Sequence, residues 1–190
     1  MEIRRCTSCG TIAVVAGAIR CEKCEGRLEL GDERELLGRR FGSYTLVDVL
    51  GAGGMGVVFR ARHETLERDA AVKLLLPGET AESAHKRFVN EARLLAGLRH
   101  PNVVAVYDFA ETEWGAPYLV LELLEGRSAE SLLADCRARG EGGLPAAAVA
   151  AILADAVAGL DAAHAAGIVH RDLKPSNLFV AVEGGRVVTK

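Results

Sequence analysis

The sequence predicts an α+β fold: an antiparallel, β-rich part carrying one helix, then a helical part, with a small four-cysteine unit in front. Three observations predict it. Residues 44–126 alternate in short apolar runs broken once by a helical stretch, and from residue 127 the chain turns alanine-rich and helical. Residues 1–28 hold four of the five cysteines and little that could build a core, and residues 29–43 read as a charged linker with glycine near each end of GDERELLGRR.

Composition narrows the function classes. With 49% apolar and 26% charged residues the chain is too apolar for disorder, and a net charge of −3 gives no global basic field for nucleic acid or an anionic membrane. Glycine, at 21 of 190 residues, exceeds a usual ~7% and points to backbone that must turn tightly or approach a ligand. No apolar stretch is expected to reach the ~20 residues of a membrane helix, and the start Met1-Glu2-Ile3-Arg4-Arg5-Cys6 lacks a secretory core. A cytoplasmic chain is expected, in whose reducing environment cysteines argue for metal or chemistry rather than disulfides.

Cys6-x2-Cys9 and Cys21-x2-Cys24 are separated by eleven residues, with Gly10 and Gly26 just beyond each pair. Each tight turn converges two thiolates, and two such turns complete a tetrahedral four-thiolate zinc site, so the segment resembles a zinc ribbon. A redox CxxC pair is the alternative, though no βαβ pattern surrounds it. Zinc would supply most of the stability of so short a segment, on the order of 10 kcal/mol. Ribbons bind proteins or nucleic acid or merely fold; a protein partner is open to this one, and nucleic acid is not expected at this charge. Cys136, alone in a helical stretch, reads as an inert, partly buried thiol.

Within YTLVDVLGAGGMGVVF, Gly51-x-Gly53-x-x-Gly56 follows an apolar run. A dinucleotide fold would continue as a helix; Val57-Val58-Phe59-Arg60-Ala61-Arg62 is short and β-branched, so the loop bridges two strands. Such a hairpin is either simply flexible or lays bare backbone over phosphates. In the next strand, Ala70 to Leu76, alternation puts Lys73 on the face of Ala71 and Leu75. A helix from about 81 to 98 places Glu91 within a stripe of Phe88, Ala92, Leu95 and Leu98. Burying either charge alone costs several kcal/mol, so a Lys73–Glu91 ion pair explains both, against a Glu91 that reaches solvent at the stripe's edge.

The string His170-Arg171-Asp172-Leu173-Lys174-Pro175-Ser176-Asn177 completes an ordered set of motifs. With it, residues 44–190 resemble the protein kinase family, and more specifically the bacterial Hanks-type serine/threonine kinases. The resemblance implies a protein-kinase-like fold and transfer of the ATP γ-phosphate to Ser or Thr hydroxyls of protein substrates in signalling. It implies that Asp172 accepts the hydroxyl proton, Lys174 touches the transferred phosphate, and Asn177 binds Mg2+ (or Mn2+). Lys73 would hold the α and β phosphates, with Glu91 holding Lys73. Gly51, Ala52, Gly53, Gly54, Met55, Gly56 and Val57 would cover the phosphates; Leu50, Val58, Ala71 and Phe179 would wall the adenine. Glu122 to Leu124 would read its edge, Leu121 would gate the back pocket, and Arg171 resembles kinases switched on by activation-loop phosphorylation.

A helix framed by Pro145 and Gly167 should carry a stripe of Val149, Ile152, Leu153, Ala156, Leu160 and Ala163, with His164 as a core or helix-end histidine. A hairpin of residues 178–182 and 186–190 closes the sequence about two residues before the family's Asp-Phe-Gly would fall. The pair Asp108-Phe109 lacks the glycine and does not replace it. The resemblance thus implies an N-terminal part of a kinase, inactive alone, whose helical stripe lacks its covering helices. A regulatory nucleotide-binding fragment and a zinc-dependent interaction module are the alternatives.

Overall fold

A computed structural model describes residues 2–15, 18, 20–53, 56–75 and 95–190. The chain forms two compact units, one of Met1–Ala92 with Val106–Leu123, the other of Arg93–Ala105 with Leu124–Lys190.

The first unit opens with a three-stranded antiparallel sheet, β1 (Glu2–Cys6), β2 (Ile12–Val15) and β3 (Leu28–Leu30), with β1 in the middle. A six-stranded antiparallel sheet follows, ordered β4 (Arg40–Phe41), β5 (Tyr44–Gly53), β6 (Gly56–His63), β7 (Asp69–Leu75), β9 (Pro117–Leu121), β8 (Val106–Glu111). One of the six, β4, comes from the charged segment that read as a linker. That segment is structured because its few apolar residues find the core. Asp32 caps a 3-10 turn at Glu33–Leu36 by accepting the Arg34 N–H at 2.8 Å, Leu36 is fully buried, and Phe41 is buried against Tyr118 and Trp114. Phe59, Val72, Leu74 and Val120 fill the same core from one face of the sheet.

In the second unit, β10 (Gly126–Ser128), β11 (Phe179–Glu183) and β12 (Arg186–Thr189) form an antiparallel sheet. Gly126 is required there: a β-carbon would lie 2.1 Å from the Val180 carbonyl oxygen. Helix α1 (Ala129–Ala138) starts at Ser128, whose side chain accepts the Ser131 N–H, and buries Cys136, where desolvation raises the thiol pKa and keeps it protonated.

Helix α2 (Ala146–Ala165) starts after Pro145 and stops at Gly167, which turns with φ of 76°. Its inward side is Ala156, Gly159 and Ala163, while Val149, Leu153 and Val157 are exposed, so only part of the expected stripe is covered. His164 is exposed in the last turn, a helix-end histidine. By length and composition α2 is apolar enough to cross a membrane, which corrects the expectation that no stretch nears that length. The alanine runs account for it. Asp155 interrupts the run and is used inside the unit, where its carboxylate accepts the Thr189 N–H at 2.8 Å.

Candidate functional site

The glycine hairpin forms as its sequence requires. β5 and β6 pair down to Gly53 opposite Gly56, and Gly54 and Met55 between them lie outside the described residues. Gly56 has φ of 140°, and a β-carbon there would lie 2.1 Å from the Leu74 carbonyl oxygen. No other residue fits. Gly51, Ala52 and Gly53 are exposed, Val57 is buried on the core side, and Leu50 is exposed beside a register shift between Val49 and Gly51.

Register places the sheet's functional face. Lys73 pairs with Val58 on β6 and with Leu119 on β9, and Ala71 pairs with Leu121. Directly opposed residues share a face, so Val58, Ala71, Lys73 and Leu121 lie together, opposite the core residues Val72 and Leu74. Lys73 and Val58 are half-buried and Ala71 is buried. A cation set among Val58, Ala71 and Leu121 is suited to an anionic ligand bearing an apolar base. The ion-pair partner expected for Lys73, Glu91, lies outside the described residues. Glu122, at the end of the first unit, and Leu124, at the start of the second, are half-buried, as is Phe179 on β11.

The turn that bears Asp172 stands in the second unit between α2 and β11. Arg171 adopts φ of 61°, a left-handed conformation costing about 1–2 kcal/mol for a residue with a β-carbon. Such strain persists where neighbours over-determine the turn. They do so here: the Asp172 N–H donates to the His170 carbonyl at 2.8 Å, and the Asn177 side-chain amide donates to the Asp172 carbonyl at 2.7 Å. Pro175 opens the 3-10 turn at Pro175–Asn177 that brings Asn177 back. The Asp172 carboxylate accepts from Lys174 Nζ at 2.7 Å and from Asn177 at 3.2 Å. The Lys174 ammonium, first, and Asn177, further, hold its carboxyl below the usual carboxylate range. Asp172, expected to meet the acceptor hydroxyl, Lys174, expected to touch the transferred phosphate, and Asn177, expected to bind the metal, are thus within contact of one another.

Sequence reasoning missed the supports of β12. Asn102 donates to the Thr189 carbonyl at 2.9 Å, while Asp155 accepts the N–H of the same buried residue. Gly159 admits this, since a β-carbon on it would lie 2.4 Å from the Asn102 carbonyl oxygen. The His-Pro-Asn string at 100–102 was the available signal; nothing in the sequence joins it to Thr189.

The four cysteines gather as their spacing implies. Their sulfurs all lie within 4.8 Å of one another, with Cys6 and Cys24 sulfurs 3.5 Å apart and Cys9 and Cys21 sulfurs 3.7 Å apart. A disulfide would need ~2.05 Å, whereas a tetrahedron of ~2.3 Å Zn–S bonds sets sulfurs about 3.8 Å apart. The Thr11 hydroxyl and backbone lower the Cys9 thiol to about 6, and the Cys9 and Ser8 backbone lowers Cys6. Cys24 is pushed up to about 12: against the lowering by the Gly26 backbone, the neighbouring sulfurs keep its proton on. Four sulfurs so close can all ionise only around a cation, and the donor set fits one.

Comparison with known proteins follows the same outline. The protein kinase domain model matches residues 44–188. The chain is 40% identical over 147 residues to the serine/threonine-protein kinase PksC of Streptomyces coelicolor, covering 75% of this chain and 26% of the relative. It is 37% identical over 182 residues to Pkn1 of Myxococcus xanthus, covering 94% of this chain and 25% of the relative. The chain therefore spans about a quarter of the length of these curated relatives. The crystal structure of the Mycobacterium tuberculosis PknI kinase domain superposes with a TM-score of 0.71 at 31% identity, over 80% of this chain and 59% of that one. A match that opens with β5 and runs into β12 accounts for both the glycine hairpin and the turn at Asp172: the chain belongs to the protein kinase family.

Proposed function

We propose that this chain supplies the nucleotide-binding sheet and catalytic turn of a serine/threonine protein kinase, with residues 1–28 as a structural zinc ribbon. The observation that carries the reading is the contact of Asp172 with both Lys174 and Asn177 on a strained turn. With a depressed pKa, Asp172 is ionised at neutral pH and can accept a hydrogen bond from an incoming Ser or Thr hydroxyl, orienting its lone pair. Lys174 stands beside it to meet the developing negative charge on the transferred group. Lys73 binds nucleotide phosphates from the sheet, Gly51, Gly53 and Gly56 leave backbone free of side chains for them, and Leu50, Val58 and Ala71 bound the base. Mg2+, when bound with ATP, would neutralise phosphate charge, and Asn177 would help to hold it. The family implies protein substrates, and the lysine at 174 favours Ser and Thr acceptors.

The reading is tested by MgATP titration and by radiolabelled phosphate transfer to a generic protein, comparing the 190-residue chain with the same chain extended by its reading frame. Transfer by the extended chain that Asp172→Asn abolishes supports it; transfer unaffected by Asp172→Asn refutes it.

A further inference from the structure

The ribbon and the kinase sheet are joined by more than a tether. β1 carries Ile3 and Cys6. Cys6 forms the ribbon's own small core with Cys21 and Leu28, whereas Ile3 is buried in the cluster that contains Phe41, Phe59, Val72 and Leu74. The chain leaving the ribbon enters the same cluster. β3 pairs with β1, the Gly31 N–H donates to the Ile3 carbonyl at 2.8 Å, and Leu36 is fully buried with the sheet residues. Gly38 then donates to the Leu46 carbonyl at 2.8 Å, Leu46 donates to the Arg39 carbonyl at 3.0 Å, and Arg5 lies 3.9 Å from Glu35. Both ends of the cysteine-bearing segment are therefore anchored in the core that backs β5–β7. The core residues Val72 and Leu74 flank Lys73 on its own strand and point to the opposite face.

We propose that the four-cysteine ribbon is a metal-set lid on the sheet face opposite Lys73, so that metal loading of the cysteines governs the stability of β5–β7. This rests on the zinc reading above. A segment this short has too little apolar surface to hold β1 and β3 together without its ion, so metal binding is its folding free energy. When the ribbon opens, Ile3 leaves the shared core and the cover that includes Leu36 loosens, exposing apolar surface behind the strand that bears Lys73.

The test uses the 190-residue chain. Zinc per chain is measured, and hydrogen exchange and the thermal midpoint are then followed in the zinc-loaded chain, after chelation, and after ZnCl2 is restored. Expected are one zinc per chain, exchange accelerated about tenfold or more in residues 44–63 and 69–75 as well as in 2–30, and a midpoint about 5 °C or more lower after chelation, all reversed by zinc. Leu36→Ala should retain one zinc yet lower the midpoint. Deprotection confined to residues 2–30, or an unchanged midpoint for Leu36→Ala, overturns the lid while leaving the zinc reading standing. Failure to take up zinc in saturating ZnCl2 sinks the zinc reading itself, and the lid with it.

Discussion

Gly159→Ala sets two effects of opposite sign against each other. Helix propensity alone favours alanine over glycine within α2 by about 1 kcal/mol. The structure says otherwise. A β-carbon at 159 would sit 2.4 Å from the Asn102 carbonyl oxygen and 3.3 Å from the Asn102 β-carbon. Ordinary contact needs almost 1 Å more, and the obstruction is backbone rather than a side chain that can swing away. Moving Asn102 also strains its 2.9 Å bond to Thr189, a hydrogen bond worth about 1 kcal/mol. Overpacking of this kind costs about 1–3 kcal/mol, so with the lost bond included the propensity gain is outweighed by roughly 1–3 kcal/mol. At ~2–4 °C per kcal/mol for a chain of this size, the thermal midpoint should fall by about 2–12 °C. Differential scanning calorimetry of both chains reads it directly. A variant melting at or above the parent would refute the close approach of α2 to the 100–102 turn.

Asp155→Ala should leave the buried Thr189 N–H without an acceptor and cost about 1–3 kcal/mol, measured by urea denaturation; Asp155→Asn, which keeps an oxygen, should recover part of it. Because Asp172 has its folded pKa depressed, chiefly by Lys174, its ionisation favours the folded state above the unfolded pKa of ~3.9, and that contribution fades as pH falls through the folded value. Lys174→Ala should move the Asp172 pKa upward in an NMR titration; no movement would show that the 2.7 Å contact does not hold in solution. Cobalt(II) in place of zinc should give the intense thiolate charge-transfer and visible bands of a tetrahedral four-sulfur centre, and Cys21→Ser should remove them.

What could be read from the sequence depended on the range of the interaction. The Gly51–Gly56 hairpin, the face of Lys73 and the convergence of the two CxxC turns follow from local spacing, and the structure has them. The burial of Leu36 and Phe41 within a charged, glycine-flanked stretch does not, because it depends on sheet residues far along the chain. The partners of Thr189 are likewise long-range: Asn102 is 87 residues away and Asp155 is 34. Nothing local to Asp155 indicates that its carboxylate is an acceptor for the backbone of a distant strand. The apolar length of α2 was underestimated because alanine, although small, carries the run across its aspartates.

Each compact unit is assembled from two separated stretches: Arg93–Ala105 belongs with the residues after Leu123, while Val106–Leu123 returns to the strands made before it. A nascent chain emerging from the ribosome cannot complete the second unit until β12 has been synthesised, since Thr189 supplies both backbone groups that Asn102 and Asp155 engage. Until then the 100–102 turn has no partner strand and α2 offers its alanines to whatever is near. Synthesis therefore passes through a long interval in which the first sheet can already close while the second half waits, a window in which a holding chaperone would have the most to protect.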